Sequence, residues 1–286
     1  MKRARNIFST FASVCIVAVV AGADPRSAFA QAAPTTTAGE LGNPQDLAKK
    51  LVNPLTDLVS VPLQFNWING VGPDKEMRSL IYFQPVVPMS INEHWNLIGR
   101  WVVPYLSQPE VFGGASGLSD IIAQAFFSPK TSGTFTWGVG PMFYLPTTTD
   151  PTLGYGKWSA GPVVAVMKQN GGMTYGMLWN NIWSFAKTGK VERADVNMGY
   201  FQPVIAHSSS RGVTVSLSAE AIADWNAAEP DDRWSIPITM AVSKITRFGE
   251  IPMSVQLGAG YYVATPSDGP NWQLRTTFTL LFPRKR

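Results

Sequence analysis

Residues 251–263 read Ile-Pro-Met-Ser-Val-Gln-Leu-Gly-Ala-Gly-Tyr-Tyr-Val. In an extended chain Met253, Val255, Leu257, Ala259, Tyr261 and Val263 share one face, and Ser254, Gln256, Gly258, Gly260 and Tyr262 share the other. Side chains alternate across a strand, so this segment meets an apolar medium on one side and a wetter one on the other. About twelve such segments follow one another from Val59 to Phe282. A soluble sandwich shows the same alternation, so the links carry the decision. Five are short: Ser90 to Glu93, Pro129 to Gly133, Gln169 to Gly172, Ser208 to Gly212 and Arg247 to Glu250. Longer ones lie between them: Ser107 to Leu118, Pro146 to Lys157, Phe185 to Ala194 and Asn226 to Arg233. Short turns alternating with longer loops are the pattern of an up-and-down membrane barrel, with the short turns on the periplasmic side. The reading is therefore all-β: a transmembrane antiparallel β-barrel of about 12 strands, preceded by a short N-terminal helical segment. Strands are predicted to begin near residues 59, 77, 94, 117, 133, 157, 173, 195, 212, 233, 250 and 271.

The N-terminus has the parts of a signal peptide. Lys2, Arg3 and Arg5 form a positive region, Phe11 to Ala23 an apolar stretch, and Ala28-Phe29-Ala30 a small-x-small cleavage pattern. The apolar stretch is shorter than the roughly 20 residues a spanning helix needs. Residues 1–30 are expected to be removed after Ala30, leaving 256 of the 286 residues and no cysteine. That excludes disulfides and thiolate chemistry from the mature chain. The segment carries four of the 23 basic residues and one of the 19 acidic ones, so the mature chain is nearly neutral, with 19 against 18. No basic footprint for nucleic acid remains. No other stretch is long and apolar enough for a spanning helix, and export then points to the closed barrel, which pairs every backbone group internally.

Residues 31–58 are expected to form a flexible lead and a short amphipathic segment, with residues 59–286 forming the barrel. Leu47, Leu51, Leu55 and Leu58 recur at helical spacing, and Pro54 divides the stripe into two short pieces. The segment reads either as a lead packed on the barrel rim or as a plug. Trp67, Trp158, Trp183, Trp234 and Trp272 sit at strand ends on the long-loop side with the parity of the apolar face, as girdle aromatics do; Trp95 and Phe282 belong to the opposite girdle. Against this, Pro62, Pro85, Pro104, Pro141, Pro162, Pro203, Pro237 and Pro252 fall in or near the strands. Proline cannot donate to a ladder, so several of these positions are expected to mark bulges. Tyr82-Phe83-Gln84-Pro85-Val86 recurs as Tyr200-Phe201-Gln202-Pro203-Val204, six strands on.

Parity turns a polar set inward: Gln64, Asn66, Arg78, Tyr82, Gln84, Arg100, Asp120, Gln124, Tyr144, Gln202, Glu220, Asp224, Gln256, Gln273 and Arg275. Arginine or lysine on a lipid face would cost roughly 2–4 kcal/mol at the midplane, so inward is the physical choice. The three arginines balance the three carboxylates in charge. They read either as a charged constriction selecting small solutes or as lumenal salt bridges filling a narrow barrel. Catalysis has little to stand on. The two histidines, His94 and His207, both adjoin short turns, and no phosphate loop, metal-ligand cluster or Gly-x-Ser-x-Gly appears. No cofactor or metal is expected.

Several stretches resemble a known family: Asn53-Pro54-Leu55-Thr56-Asp57-Leu58-Val59-Ser60-Val61-Pro62-Leu63-Gln64, followed by Gly70-Val71-Gly72-Pro73; Gln84 to Pro88; Trp95 to Ile98; Trp137 to Pro141; Gly154 to Pro162; Asn180 to Phe185; Trp272 to Arg275; and Leu281 to Pro283. These are similar to the outer-membrane proteins grouped as the MetA-pathway of phenol degradation family, often labelled "transporter" or, misleadingly, "neuromedin U". The resemblance spans roughly residues 45–283. It implies a barrel in a bacterial outer membrane, a channel for aromatic or other hydrophobic compounds, and no catalytic residues. The partners expected on this reading are outer-membrane lipids, the barrel assembly machinery and a small-molecule solute, with oligomeric state open. Phe282 is followed by Pro283-Arg284-Lys285-Arg286, a basic tail where many such barrels end in an aromatic residue. A structural or adhesive barrel with a filled lumen is the alternative function, and a soluble periplasmic sandwich the alternative fold.

Overall fold

The computed structural model describes residues 43–130, 133–187 and 193–282. The expected signal peptide, most of the lead and the basic tail lie outside those residues. The described chain has one helix, α1 (Pro44–Val52), and fifteen strands: β1 (Val59–Val71), β2 (Glu76–Phe83), β3 (Val86–Ser90), β4 (Trp95–Ser107), β5 (Ser116–Leu118), β6 (Ile121–Pro129), β7 (Phe135–Leu145), β8 (Lys157–Asn170), β9 (Met173–Lys187), β10 (Asn197–Ser208), β11 (Val213–Ala219), β12 (Ala221–Asp224), β13 (Trp234–Phe248), β14 (Ile251–Ala264) and β15 (Trp272–Phe282). Every pairing is antiparallel, and β15 returns to β1 from Val59↔Phe282 to Asn69↔Trp272, closing the sheet. Closure leaves no free edge.

The fifteen strands make twelve staves, because β2–β3, β5–β6 and β11–β12 are each one stave interrupted. The twelve staves begin within two residues of the positions predicted from sequence. Proline accounts for the interruptions. Pro62 faces the β2–β3 gap, where its carbonyl accepts the Gln84 N–H at 2.9 Å but no N–H returns. Pro104 does the same for Ser119 at the β5–β6 gap (3.0 Å), and Pro237 for Glu220 at the β11–β12 gap (3.1 Å). The second gap is a true bulge: Tyr105 pairs with Leu118 and Val102 with Ile122, so three steps oppose four. Pro237 marks another bulge on its β14 side, where Ile236 pairs with Ala264 and Pro237 with Tyr262, so one step opposes two. At other strand prolines no bulge forms. Pro141 pairs directly with Pro162, Pro203 keeps register with Met177 while bordering the β11–β12 gap, and Pro252 pairs with Arg247 at the start of β14. A strand start and the rim of an existing gap both tolerate a missing donor.

The outward face is a continuous apolar band. Leu257, Tyr261 and Val263 are exposed, while Ser254 and Gly260 on the other face are buried. Trp67, Trp158, Trp183, Trp234 and Trp272 are all exposed at strand ends on the side of the longer links. At the opposite end the rings of Trp95 and Trp137 meet edge to face at 6.0 Å. Phe282 is exposed there too.

Helix α1 starts cleanly. The Asn43 side chain accepts the Gln45 N–H at 3.0 Å, Pro44 occupies the first turn, Asp46 lies near the N-terminus and Lys49 and Lys50 near the C-terminus. The second helical piece expected beyond Pro54 does not form. Instead the Asn53 side chain accepts the Leu55 N–H at 3.0 Å in a tight turn. That turn sends Leu55 into the barrel against Ile98, Phe126, Met142, Val163 and Leu178. Leu47 and Leu58 stay at the rim on Leu281. Gln45 and Gln169 fasten the helix through the Ser208 and Lys49 carbonyls, at 2.7 and 2.9 Å. The segment thus packs on the rim and also enters the lumen.

Gly138 of β7 receives Leu55: a Cβ there would lie 2.8 Å from Leu55 Cδ2. Leu55→Ala should remove about 2–4 kcal/mol of burial and cavity energy from this anchor. Gly138→Val should displace Leu55 from the other side. Both variants are expected to become protease-sensitive within residues 43–58 while the barrel keeps its heat-modifiable migration on gels.

Candidate functional site

The inner wall has two unlike halves. On β4 to β9, Ile98, Phe126, Met142, Val163, Ala165, Leu178 and Ile182 turn inward and are buried. From β11 through β15 to β1 the inner face is small and hydroxylic, with Thr214, Ser216, Ser218, Thr239, Ser243, Ser254, Thr277, Thr279 and Ser60.

A belt of hydrogen-bonded side chains crosses most of the circumference. On β4, Arg100 donates to Gln124 of β6 at 3.1 Å and to Gln84, in the β2–β3 gap, at 2.8 Å. Gln84 donates to Gln64 at 3.4 Å, and Gln64 to Asn66 at 3.0 Å, both on β1. The same Asn66 oxygen accepts Arg275 Nε of β15 at 2.9 Å. The two terminal nitrogens of Arg275 then hold the Glu220 carboxylate, one oxygen each, both at 2.8 Å. Gln202 of β10 completes the run on Glu220 at 3.4 Å. At its other end Gln124 donates to the Met142 sulfur of β7 at 3.3 Å; β8 and β9, on the apolar side, contribute no member, and the run passes over β13 and β14.

The Arg275–Glu220 pair needs particular neighbours. Three inter-strand steps of roughly 4.8 Å separate β15 from the β11–β12 stave. Both long side chains bridge that span because Gly258 of β14 and Ala241 of β13, which pair with each other in register beside Arg275, leave the inner face low. A bidentate guanidinium–carboxylate pair is among the strongest side-chain hydrogen-bond arrangements.

Two cavities lie in the lumen, of about 460 Å³ toward the short turns and about 560 Å³ toward the long loops. Tyr82, Ile122, Tyr144, Glu220, Ile222 and Arg275 line both, and so form the waist between them. The lower cavity has the segment from Ala48 to Leu58 as its floor.

Gln64, Gln84, Arg100, Gln124, Gln202 and Gln256 face the lower cavity; Asn66, Arg78, Asp120 and Gln273 face the upper one. Asp224 is the exception. It ends β12 at the rim, lines neither cavity, and accepts the Asn226 N–H at 3.0 Å. The charge balance expected of the six charged residues is not their arrangement, since only Arg275 and Glu220 form an ion pair. Asp120 accepts backbone N–H groups of Gly156 at 2.9 Å and Thr148 at 3.3 Å, and so ties down the loop between β7 and β8. Arg78 donates to Gln108 at 2.7 Å and lies 5.4 Å from the Phe112 ring. In the loop between β7 and β8, exposed Asp150 accepts both the N–H and the hydroxyl of Thr152, which holds its carboxyl below the usual range.

Sequence reasoning passed over Tyr200 and the whole apolar half, and placed Tyr262 on the wetter face of its strand without counting it in the inward polar set. Tyr200 was within reach, because it occupies in the repeated Tyr-Phe-Gln-Pro-Val motif the place of Tyr82. In both copies the tyrosine and glutamine turn inward, and Phe83 and Phe201 are exposed outside. His94 and His207 are exposed at the short-turn end, and neither lines a cavity.

No protein-family model matches the chain, and no curated protein matches it in sequence. Solved structures do match in fold. One is the COG4313 outer membrane channel from Pseudomonas putida F1, at 14% identity and a TM-score of 0.60, covering 79% of this chain and 94% of that one. Another is the NanC porin, at 8% identity and a TM-score of 0.51, covering 78% of this chain and 98% of that one. At such identities the likeness establishes the barrel fold.

Glu220→Gln should leave the Arg275 charge without its carboxylate and lower stability by about 1–3 kcal/mol. The double variant Glu220→Gln/Arg275→Gln should lose less than the two single losses added. A coupling of about 0.5–3 kcal/mol is expected in a double-mutant cycle of urea unfolding followed by tryptophan fluorescence.

Proposed function

We propose that this protein is an outer-membrane channel that passes small molecules down their gradient. The observation that carries it is the pair of lumenal cavities meeting at a waist of six side chains, inside a wall whose outer face is apolar and girdled by tryptophan. A filled structural barrel has no use for two cavities in line. An exposed apolar band that encircles the molecule fits a hydrocarbon surround, not water. The fold shared with the COG4313 outer membrane channel and the NanC porin supports the same reading.

On this proposal the chain is exported by a signal peptide cleaved after Ala30, inserted by the barrel assembly machinery and surrounded by outer-membrane lipids. The inward residues named above, other than Asp224, line the path. Membership of the MetA-pathway of phenol degradation family, with aromatic or hydrophobic solutes, is supported by the sequence stretches that resemble it. The waist sets the size limit, and the floor formed by residues 48–58 narrows the periplasmic exit.

In planar bilayers the purified full chain should give discrete conductance steps, and a form lacking residues 31–58 should give larger ones. If neither ions nor small solutes pass in either form, the structural-barrel reading replaces the channel.

A further inference from the structure

The lower cavity is lopsided in chemistry as well as shape. On one side stand Met142 and Leu178, which offer contact area and little hydrogen bonding. On the other stands the Arg100 guanidinium. It donates hydrogen bonds to two neutral glutamine oxygens, and among the described residues no carboxylate lies within 4 Å of it. The remaining charges of that cavity are paired: Lys50 with Asp57 at 2.8 Å, and Arg275 with Glu220 at 2.8 Å. Arg100 is thus a cation held in place by two amides and left without a counter-ion. Glutamine partners orient a guanidinium without neutralising it, and its unused donors keep the planar fork that suits a carboxylate.

We infer that the lower cavity is a binding subsite for amphiphilic monocarboxylates, with the carboxylate on Arg100 and an aromatic or short alkyl body on the methionine–leucine wall. This rests on the channel reading for its purpose, though not for its chemistry. A neutral hydrocarbon of the same size would fill the wall but leave the cation uncompensated. A polyhydroxylated acid would satisfy the cation and find partners on the hydroxylic wall of Thr214, Ser216, Ser254 and Thr277, but would leave the apolar surface of Met142 and Leu178 without apolar contact. The cavity, at about 460 Å³, lies in the range of pockets that enclose small organic ligands. Approach of an anion is favoured because Arg100 and Arg275 share the single carboxylate of Glu220, which is held by Arg275, and the three groups together keep a net positive charge.

The probes are benzoate, its neutral analogue benzyl alcohol, and the polar anion gluconate, applied to the full-length protein in planar bilayers. Benzoate is expected to reduce the chloride current at concentrations ~10- to 100-fold below those needed for either of the others, the difference a charge-assisted contact makes. Arg100→Gln should raise the half-blocking benzoate concentration by ~10-fold or more, and Arg100→Lys should recover part of that loss. The heat-modifiable band of each variant shows that the barrel still folds. Equal block by benzoate and benzyl alcohol, or an Arg100→Gln protein as sensitive as the parent, would overturn the inference. Absence of any current would instead remove the channel reading. In that case, calorimetric binding of benzoate to the detergent-solubilised full chain decides the subsite, which stands if Arg100→Gln abolishes the heat and falls if no heat is seen.

Discussion

The wall of this barrel is governed by the need to pair backbone groups, and the prolines are where that need is met only halfway. A closed antiparallel sheet supplies every N–H and C=O with a partner across the ladder. Pro62, Pro104 and Pro237 each accept a hydrogen bond from the facing strand and return none. At each gap stands an inward polar residue: Gln84, Asp120 or Glu220. The belt and its loop anchor are therefore built where the ladder is weakest. A gap frees the chain from the flat pleat, and a polar side chain there can turn to partners in the lumen that a regular strand would not reach.

That arrangement also explains what the sequence could and could not reveal. Period-2 alternation needs only neighbours along the chain, so β14 and its faces were legible from residues 251–263 alone. The girdle tryptophans were legible for the same reason, since strand-end position and parity are both local. Asp224 was misplaced because parity tells which way a side chain points but not how far along a strand the lumen extends. The Arg275–Glu220 pair was invisible, since it joins staves three steps apart and depends on Gly258 and Ala241 lying between them. The failed second turn of helix after Pro54 has a local cause, an Asx turn at Asn53 that competes with helix for the same N–H groups.

The apolar half of the lumen was hidden for a different reason. On β8 the inward residues Val163, Ala165 and Met167 alternate with outward Val164 and Val166, so the segment is apolar on both faces. A continuous apolar run carries no phase, and periodicity cannot say which face is which. Leu55 resolves it in three dimensions. Its insertion against this wall gives the inward apolar residues a partner and explains why the lumen tolerates them next to water.

Two arginines of one belt thereby acquire opposite characters. Arg275 lies within the small-residue side, where low neighbours let it reach a carboxylate, and the pair becomes a neutral strut across the polar half. Arg100 lies next to the apolar side, where Gln84 and Gln124 are its hydrogen-bonding partners among the described residues and both are uncharged. The difference follows from what flanks each residue in the sheet. Glycine and alanine beside one arginine produce a structural tie. Val86 and Gln124 beside the other give it no carboxylate to reach and leave a fixed, oriented positive charge in a cavity that also holds the apolar surface of Met142 and Leu178.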